Sequence, residues 1–398
     1  MRLKLPKWKQ LPLWHWIVAG VVAVIVVLSI TTWAVDAWDT IQEKIQGTTW
    51  ENQKLQSQVA TIAQELSDIQ HQDQYVKNKQ LSSDITDIES TYQQTVATYE
   101  DLLRLKDVEK DTTKYDDAFA DVLSLLSKRN YASAASELTT LQNNITGEQQ
   151  KIASSFTIPS NVPSSNAPPG SGFSQQSVTT DIGTFLVDMI AADVSTTHVY
   201  VDTASSGTCG NNCPVLPLGD YVSRTGAFAG VNGGYFCPAD YPSCAGKTGS
   251  FDTLLMNKNK VYFNSDNNVY STVPAVIFGN GFIRFVGRSL EWGRDTGIDS
   301  MIANQPLVLS GGTIAFGGNG DPKMSSKSTR GFVANKGNTV YIGMMFNASV
   351  SDMGHIAKAL GFDNTLNLDD GGSAALWSGG YKVGPGRNLP NAIVFVRK

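Results

Sequence analysis

The hydrophobic pattern of the chain begins with an uncharged, mostly apolar stretch that runs from Gln10 to Val35. About 20 apolar residues are enough to cross the hydrocarbon core of a bilayer, so this stretch predicts a transmembrane helix over residues 13–35. Tryptophans stand near both of its ends, for example Trp14 and Trp33, where interfacial side chains are favoured. A cleaved signal peptide is the alternative, but the stretch is longer than a typical signal core and no clean small-x-small cleavage site follows it.

The charges on either side of this stretch predict its orientation. Basic residues precede it within residues 1–12, and acidic residues follow it. They are Arg2, Lys4, Lys7 and Lys9 before the stretch, and Asp36 and Asp39 after it. The positive-inside rule therefore predicts a single-pass protein of the cell membrane, with a cytoplasmic N-terminus and an extracytoplasmic C-terminal domain.

Beyond the apolar stretch, hydrophobic residues recur at helical spacing through residues 36–156. Five of them step by 4, 3, 4 and 3 positions, which is the a/d heptad pattern of a coiled coil: Leu55, Val59, Ile62, Leu66 and Ile69. Two further apolar faces, over 115–126 and 131–145, flank a turn at 128–130 and predict an antiparallel helix pair. We expect a stalk made of a coiled coil or long helical hairpin, through which copies of the chain would form a homo-oligomer.

Glycine and proline are distributed very unevenly along the chain. No proline lies between residues 13 and 158, and of the 36 glycines only Gly20, Gly47 and Gly147 do. A segment rich in proline, serine and glycine follows, which predicts an extended or flexible linker over residues 157–178. This split between a helical half and a turn-rich half excludes a single globular domain.

The C-terminal region, residues 179–398, alternates short apolar runs with turns rich in glycine, asparagine and aspartate. The runs at 198–204, 275–279, 339–346 and 392–396 predict β-strands. One helix is predicted from Ser351 to Leu360, with Ser351 or Asp352 as its N-cap and Gly361 as its end. The predicted fold class is α+β: a sheet-rich domain, preceded by a transmembrane helix and a helical region.

Charge and cysteine content narrow the classes of function. The chain has 31 basic and 36 acidic residues, a formal net charge of −5, so a dedicated nucleic-acid-binding protein is excluded. The four cysteines are expected to form disulfides outside the cytoplasm. Four cysteines allow three connectivities, which the sequence does not separate, and we expect the local pairs Cys209–Cys213 and Cys237–Cys244. A four-cysteine zinc site is the alternative, although the spacing of these residues fits known zinc motifs poorly.

Three short segments carry candidate chemistry. In residues 230–236, Asn232 precedes Gly233 and Gly234, whose N–H groups are able to form an anion-binding nest. In residues 328–332, Arg330 has the side chain that clamps a phosphate bidentately. In residues 367–373, a predicted strand ends in two aspartates and a glycine-rich turn: Asp369, Asp370, Gly371, Gly372 and Ser373.

Taken in this order, and with the terminal segment LPNAIVFV at 389–396, the three segments resemble the phosphodiester glycosidase domain. That is the family of N-acetylglucosamine-1-phosphodiester alpha-N-acetylglucosaminidase, the uncovering enzyme, and the resemblance covers roughly residues 185–398. The family typically has NLDGGGS where this chain has NLDDGGS, so Asp370 replaces a glycine. Asp370 brings a second negative charge to the site, and therefore turns outward, leaves one carboxyl protonated, or shares a divalent cation with Asp369.

The resemblance implies hydrolysis of a sugar-1-phosphate diester between the anomeric carbon and the phosphate oxygen. It implies that Asp369 acts as base, nucleophile or electrostatic stabiliser, that Arg330 with the N–H groups at Gly233 and Gly234 holds the phosphate, and that Asn232 binds the sugar. The other residues assigned to the substrate pocket are Asp370, Gly371, Gly372, Ser373, Arg387 and Asn391.

Two functions are consistent with these patterns. The first is a membrane-anchored phosphodiester glycosidase whose substrate is a phosphosugar or glycan polymer of the cell envelope or the extracellular space. The second is a non-catalytic glycan-binding module, presented on a coiled-coil scaffold for an envelope complex. The substitution at Asp370 is the feature that favours the second function.

Overall fold

The computed structural model describes residues 13–266 and 272–398. The basic segment expected to be cytoplasmic, residues 1–12, lies outside the described residues. The chain divides into two compact units, the first of which ends at Asp87, while the second is Ile88–Lys398. The region 36–156, expected to be a stalk, is therefore split between the two units.

Helix α1 (Leu13–His71) makes up most of the first unit, and helix α2 (Asp73–Lys106) follows after a one-residue break. Among the described residues one helical segment, Trp16–Gln70, is long and apolar enough to cross a membrane, with a mean hydropathy of 2.5 in its most apolar window. It is a candidate single-pass anchor or signal sequence. The heptad positions expected to form a coiled coil are exposed along α1, for example Leu55 and Val59, so the coiled coil stays a prediction.

The second unit begins with the C-terminal part of α2 and the helices α3 (Thr113–Ser127) and α4 (Tyr131–Ser155). The turn expected at 128–130 is confirmed, and Asn130 caps α4 by accepting the Ser133 N–H at 3.3 Å. These helices pack through buried apolar residues: Leu102, Leu105, Tyr115, Leu141 and Ile145 in one cluster, and Val122, Leu126, Ala134 and Leu138 in another. The predicted helix pair is therefore present, and the end of α2 packs with it.

Beyond the helices, the second unit consists mainly of β-strands. In chain order they are β1 (Gly172–Thr180), β2 (Gly183–Asp193), β3 (Thr197–Thr203), β4 (Ala229–Asn232), β5 (Leu255–Met256), β6 (Tyr262–Phe263), β7 (Ala275–Gly279), β8 (Phe282–Val286), β9 (Ser300–Ala303), β10 (Leu307–Ser310), β11 (Thr313–Ile314), β12 (Ser328–Lys336), β13 (Thr339–Ala348), β14 (Asn364–Asp370), β15 (Leu376–Ser378), β16 (Tyr381–Val383) and β17 (Asn391–Arg397). Three short helices accompany them: α5 (Leu218–Thr225), α6 (Pro322–Ser325) and α7 (Val350–Leu360). The predicted α+β class is confirmed.

The strands form three antiparallel sheets around a shared core. The first has the order β1-β2-β13-β12-β14-β10-β11, the second β16-β15-β4-β17-β3, and the third β6-β5-β9-β7-β8. Apolar side chains of all three sheets meet in one buried cluster, to which Val333, Ile393 and Val276 each contribute from a different sheet. The sheets pack together because each presents an apolar face that must be shielded from water.

The first strand of this domain begins earlier than expected. Strand β1 starts at Gly172, inside the segment 157–178 that we expected to be a linker, and pairs with β2 along its whole length. Its side chains explain the pairing, because Gln176 and Val178 are buried at alternate positions. The boundary expected at residue 179 is therefore corrected to the start of β1.

Helix α7 ends where the sequence indicates but begins earlier. Its N-cap is Ser349, not Ser351 or Asp352 as expected, because the Ser349 side chain accepts the Asp352 N–H while the Asp352 carboxylate accepts the Ser349 N–H. Gly361 ends the helix with a φ of 67°, a conformation that glycine adopts without strain.

Both local disulfides are formed, Cys209–Cys213 and Cys237–Cys244, which confirms the expected pairing. The four cysteines that would have formed the alternative zinc site are therefore all used in disulfides.

Candidate active site

A cavity of about 390 Å³ in the second unit lies where β12 begins, where β14 ends and where the chain leaves β4. Its wall contains many of the residues proposed from the sequence, namely residues 369–373 together with Arg330 and Arg387. Asn232, Gly233, Gly234 and Asn391 do not line it. They lie behind the wall, where Asn232 and Gly233 are hydrogen-bonded to Asp369, and Asn391 to the two glycines.

The position of Arg330 follows from an irregular strand pairing. Phe332 of β12 faces Asn367 of β14, but a register shift then places Arg330 opposite Asp370. The Arg330 guanidinium is buried, and it donates from Nε to the Ala348 carbonyl at 3.1 Å and from Nη1 to the Asp370 carboxylate.

The remaining nitrogen of Arg330 ties down a loop at the rim of the cavity. Nη2 donates to the carbonyls of Lys323 and Ser326 at 2.9 and 2.7 Å. Every nitrogen of this guanidinium therefore already has a partner within the protein. The role of phosphate clamp stays a prediction.

Asp369 is a buried carboxyl at the cavity wall. It accepts the Asp370 N–H at 2.9 Å and a hydrogen bond from the Ser373 hydroxyl. Burial raises the pKa of Asp369 to about 7, and the charge of the neighbouring Asp370 acts in the same direction. Near neutral pH this carboxyl is therefore present in both protonation states, as an acid or base catalyst requires.

Asp370 points into the protein and forms an ion pair with Arg330. Its backbone is extended, with a φ of −142°, and the positive φ of the turn falls on Gly371 at 57°. An aspartate is therefore accommodated at this position without left-handed strain. Burial raises the pKa of Asp370, while Arg330 and a hydrogen bond from Tyr235 oppose that rise.

Tyr235 is a cavity residue that the sequence reasoning did not single out. Its hydroxyl accepts the Asn367 side-chain N–H at 2.6 Å and is hydrogen-bonded to Asp370. Burial, together with the charges of Asp370 and Asp369, raises the pKa of Tyr235 well above its ordinary value, so the phenol keeps its proton and donates it. Tyr235 directly follows the glycine pair in GVNGGYF, and this position could have identified it as a candidate site residue.

Asn232 and the two glycines after it form the support behind the cavity. The Asn232 amide donates to the Asp369 carbonyl at 2.8 Å and accepts the Ala375 N–H at 3.2 Å. The Gly233 and Gly234 N–H groups donate to the backbone and side-chain oxygens of Asn391, both at 3.1 Å. These groups therefore hold the strand ends together, and their roles toward sugar and phosphate stay predictions.

The cationic side chains of the cavity come both from the helices that begin the second unit and from the sheet-rich part that follows them. Arg387 pairs with Asp107 at 3.1 Å and with Asp240 at 3.5 Å. Arg104 and Asp107, at the end of α2, also line the cavity. The sequence reasoning missed both because nothing in a helical pattern indicates which distant loop the helix contacts.

A metal centre receives little support from the side chains present. Within residues 13–266 and 272–398, no three His, Cys, Asp or Glu side chains come together as a metal-ligand group. The divalent cation considered from the sequence would therefore rest on Asp369 and Asp370, and Asp370 already has Arg330 as its cation.

Comparison with known proteins gives one family match. Residues 225–396 match the profile of the family described as phosphodiester glycosidase, whereas no curated protein sequence matches the chain. Among solved structures, a hypothetical protein from Synechocystis is similar at 14% identity and a TM-score of 0.39. The match covers 56% of this chain and 62% of that protein, which is less than two thirds of its length. The catalytic domain of zebrafish N-acetylglucosamine-1-phosphodiester alpha-N-acetylglucosaminidase, auto-inhibited by its pro-peptide, is similar at 14% identity and a TM-score of 0.45, over 60% of this chain and 87% of that one. Residues 225–396 of this chain are therefore similar in sequence to the phosphodiester glycosidase family.

Proposed function

We propose that this domain hydrolyses a sugar-1-phosphate diester. Water adds to the anomeric carbon, the bond between that carbon and the phosphate oxygen breaks, and the phosphate leaves as a monoester. The observation that carries the proposal is the Asp369 carboxyl, buried in the wall of a cavity that also contains cationic side chains. A glycosidase needs a carboxyl at the sugar, and an anionic substrate needs cations beside it.

Asp369 has the protonation behaviour that the reaction requires. With a pKa of about 7, Asp369 is about half protonated at neutral pH, so it can accept a proton from water or donate one. In its charged form it stabilises the positive charge that develops on the sugar, either through space or by forming a covalent bond. The leaving phosphate is weakly basic, so the reaction needs less help from a general acid than an ordinary glycoside does.

The Asp370–Arg330 pair explains how the site tolerates a second aspartate. Arg330 and Tyr235 compensate the negative charge of Asp370. Because the charge of Asp370 is compensated in this way, a substrate phosphate is not repelled by two uncompensated carboxyls side by side at 369 and 370. This arrangement favours catalysis over the alternative of a non-catalytic glycan-binding module, because the charge at Asp370 was the reason for that alternative.

We further propose that residues 13–35 are an uncleaved membrane anchor and that the domain lies outside the cytoplasm. The apolar composition of α1 supports the anchor, and the basic residues before it support the orientation. Two disulfides fit an oxidising compartment. The substrate would then be a phosphosugar or glycan polymer of the cell envelope or the extracellular space.

The direct test measures sugar release by the full chain in detergent, from an N-acetylglucosamine-1-phosphodiester and from a teichoic-acid-like polymer. We expect Asp369→Asn to lower kcat by about 10²–10⁴-fold, the usual contribution of an acid–base group. Asp188→Asn is the matched control, because Asp188 is also buried with a raised pKa but lies on β2, away from the cavity. No release by the wild type from either substrate, with or without divalent cations, would falsify the proposal.

The pH profile gives a second readout of the same carboxyl. If the charged form of Asp369 is the active one, kcat/KM rises with pH and levels off above about pH 7, and at pH 6 it is about tenfold below the plateau. Folding stability has the opposite trend. Because the folded pKa is raised, the folded protein binds more protons than the unfolded chain between about pH 4 and 7, so stability falls as the pH rises through that window. Asp369→Asn should remove the part of this fall that comes from Asp369, whereas other buried carboxyls with a raised pKa, such as Asp188, keep theirs.

A further inference from the structure

The C-terminal end of α2 forms part of the wall of the candidate active site. Arg104, Asp107 and Val108 line the same cavity as Asp369. One turn before Arg104, the buried Glu100 carboxylate accepts the Ser243 N–H at 3.1 Å and pairs with Lys323 at 3.5 Å. The helix end is therefore bonded to two separate loops of the sheet domain.

Asp107 fixes the same helix end to the glycine-rich turn. It pairs with Arg387 and accepts a hydrogen bond from the Gly372 N–H. A Cβ atom at Gly372 would lie 2.5 Å from both the Asp107 carboxylate and the Arg387 guanidinium. The absence of a side chain at Gly372 is thus what allows these two residues to lie against the turn that carries Asp369.

The Arg104 side chain is positioned by the helices but leaves one nitrogen unused. Its Nη2 pairs with Asp101, and Asp101 in turn accepts a hydrogen bond from Gln142 of α4. Its Nη1 is buried and has no hydrogen-bond partner. A buried arginine N–H without an acceptor costs free energy, so this atom is poised for a ligand with acceptor oxygens.

The other cationic side chains of the cavity are already engaged. Arg330 donates from every nitrogen, Arg387 pairs with Asp107 and Asp240, and Lys323 pairs with Glu100. Among the described residues that line this cavity, Arg104 is therefore the cation with a buried nitrogen, Nη1, that has no hydrogen-bond partner. Its guanidinium also acts on the Tyr241 hydroxyl: burial raises the pKa of Tyr241, and a hydrogen bond from Arg104 opposes that rise. The negative charge of Asp370 lies within its electrostatic reach, since burial raises the pKa of that carboxyl while Arg330 and Arg104 oppose the rise.

We propose that Arg104 binds the phosphate group of the substrate, which makes the helical region a part of the substrate site. The inference rests on the proposed function, in which the substrate is a phosphate diester. A guanidinium stays charged at neutral pH and makes charge-assisted hydrogen bonds to phosphate oxygens, and Asp101 holds the other terminal nitrogen of Arg104, Nη2, in place. The sugar then lies toward Asp369 and the phosphate toward α2.

The test titrates inorganic phosphate into the full chain in detergent and measures Kd by calorimetry. Arg104→Ala should weaken phosphate binding about tenfold or more. The Kd of Arg104→Lys should lie between those of the wild type and Arg104→Ala, because lysine keeps the positive charge but lacks the planar guanidinium. Lys106→Ala is the matched control: it removes a positive charge two positions along the same helix, but Lys106 pairs with Asp116 and does not line the cavity. Its Kd should stay within about twofold of the wild type.

Two outcomes overturn the inference. One is an unchanged Kd in an Arg104→Ala variant that melts at the wild-type temperature, and the other is a wild type that does not bind phosphate. If Arg104→Ala fails to fold, Arg104→Gln, which keeps the bulk and part of the hydrogen bonding, takes its place in the same comparison.

The sugar-release assay separates this inference from the proposed function. If Arg104→Ala releases sugar with the wild-type KM, the hydrolase activity is supported and Arg104 is not its phosphate ligand. If phosphate binding depends on Arg104 but the wild type releases no sugar, the proposed hydrolase activity is wrong and the phosphate site is supported.

Discussion

The helical residues on the two sides of Asp87 look alike in sequence and differ in what they contact. In α1 the heptad positions are exposed, and Leu66 keeps 55% of its surface accessible. Near the end of α2, Leu102 and Leu105 are completely buried, and the charged side chain of Glu100 is buried as well. Helical periodicity thus identifies the apolar face of a helix, but not the surface against which that face packs.

The difference has a functional side. The cavity wall of the second unit includes two residues from the end of α2, Arg104 and Asp107. A region with the composition of a simple stalk therefore contains the residues that complete the candidate active site.

The largest expected effect comes from removing each region in turn. A chain that starts at residue 88 keeps the second unit and should retain sugar release and phosphate binding. A chain that starts at residue 157 loses Arg104, Asp107 and the contacts of Glu100, and its kcat/KM should fall by about 10²-fold or more, because misplacement of binding groups has effects of that size. Equal activity of the two shortened chains would show that the helices are only a stalk.

The sequence was sufficient for the features that depend on local pattern. The strands and the helix pair follow from alternation, turn residues and spacing, and the glycine-rich turn after residue 370 placed Asp369 and Asp370 together at a strand end. The local disulfides were the expected choice among three connectivities. These features could be predicted because each is determined by residues close in the chain.

The contacts that complete the site could not be predicted in the same way. Arg330 was expected to be free for phosphate, but its partners include the carbonyl oxygens of Ala348 and Lys323, which a sequence pattern does not indicate. The N–H groups of Gly233 and Gly234 were expected to bind an anion, yet Asn391, from the last strand, accepts from both. Long-range pairing decides which donors remain available.

A pair of leucine substitutions sharpens the comparison at the level of stability. Leu105→Ala removes a fully buried side chain from the helical core and should destabilise the second unit by about 2–5 kcal/mol. Leu66→Ala alters an exposed position of α1 and should change stability by no more than about 0.5 kcal/mol. Thermal denaturation of the full chain in detergent measures both.

The Leu66 result also bears on oligomerisation. A coiled coil formed by copies of the chain would bury the heptad positions of α1, and Leu66→Ala would then be destabilising in a concentration-dependent manner. A small, concentration-independent effect would instead count against the predicted homo-oligomer.

The smallest expected effect concerns one buried charge at the contact between helix and sheets. Glu100→Ala leaves the Ser243 N–H without its acceptor and Lys323 without its partner, which should cost about 1–3 kcal/mol. Glu65→Ala removes the same side chain from an exposed position of α1 and should cost about 0.5 kcal/mol or less. The Ser243 amide reports the local effect directly, because its hydrogen exchange should accelerate in Glu100→Ala and stay unchanged in Glu65→Ala. If the Ser243 amide exchanges at the same rate in both variants and both melt at the same temperature, Glu100 does not bond the end of α2 to the sheet domain. The two helical regions would then not differ in this contact.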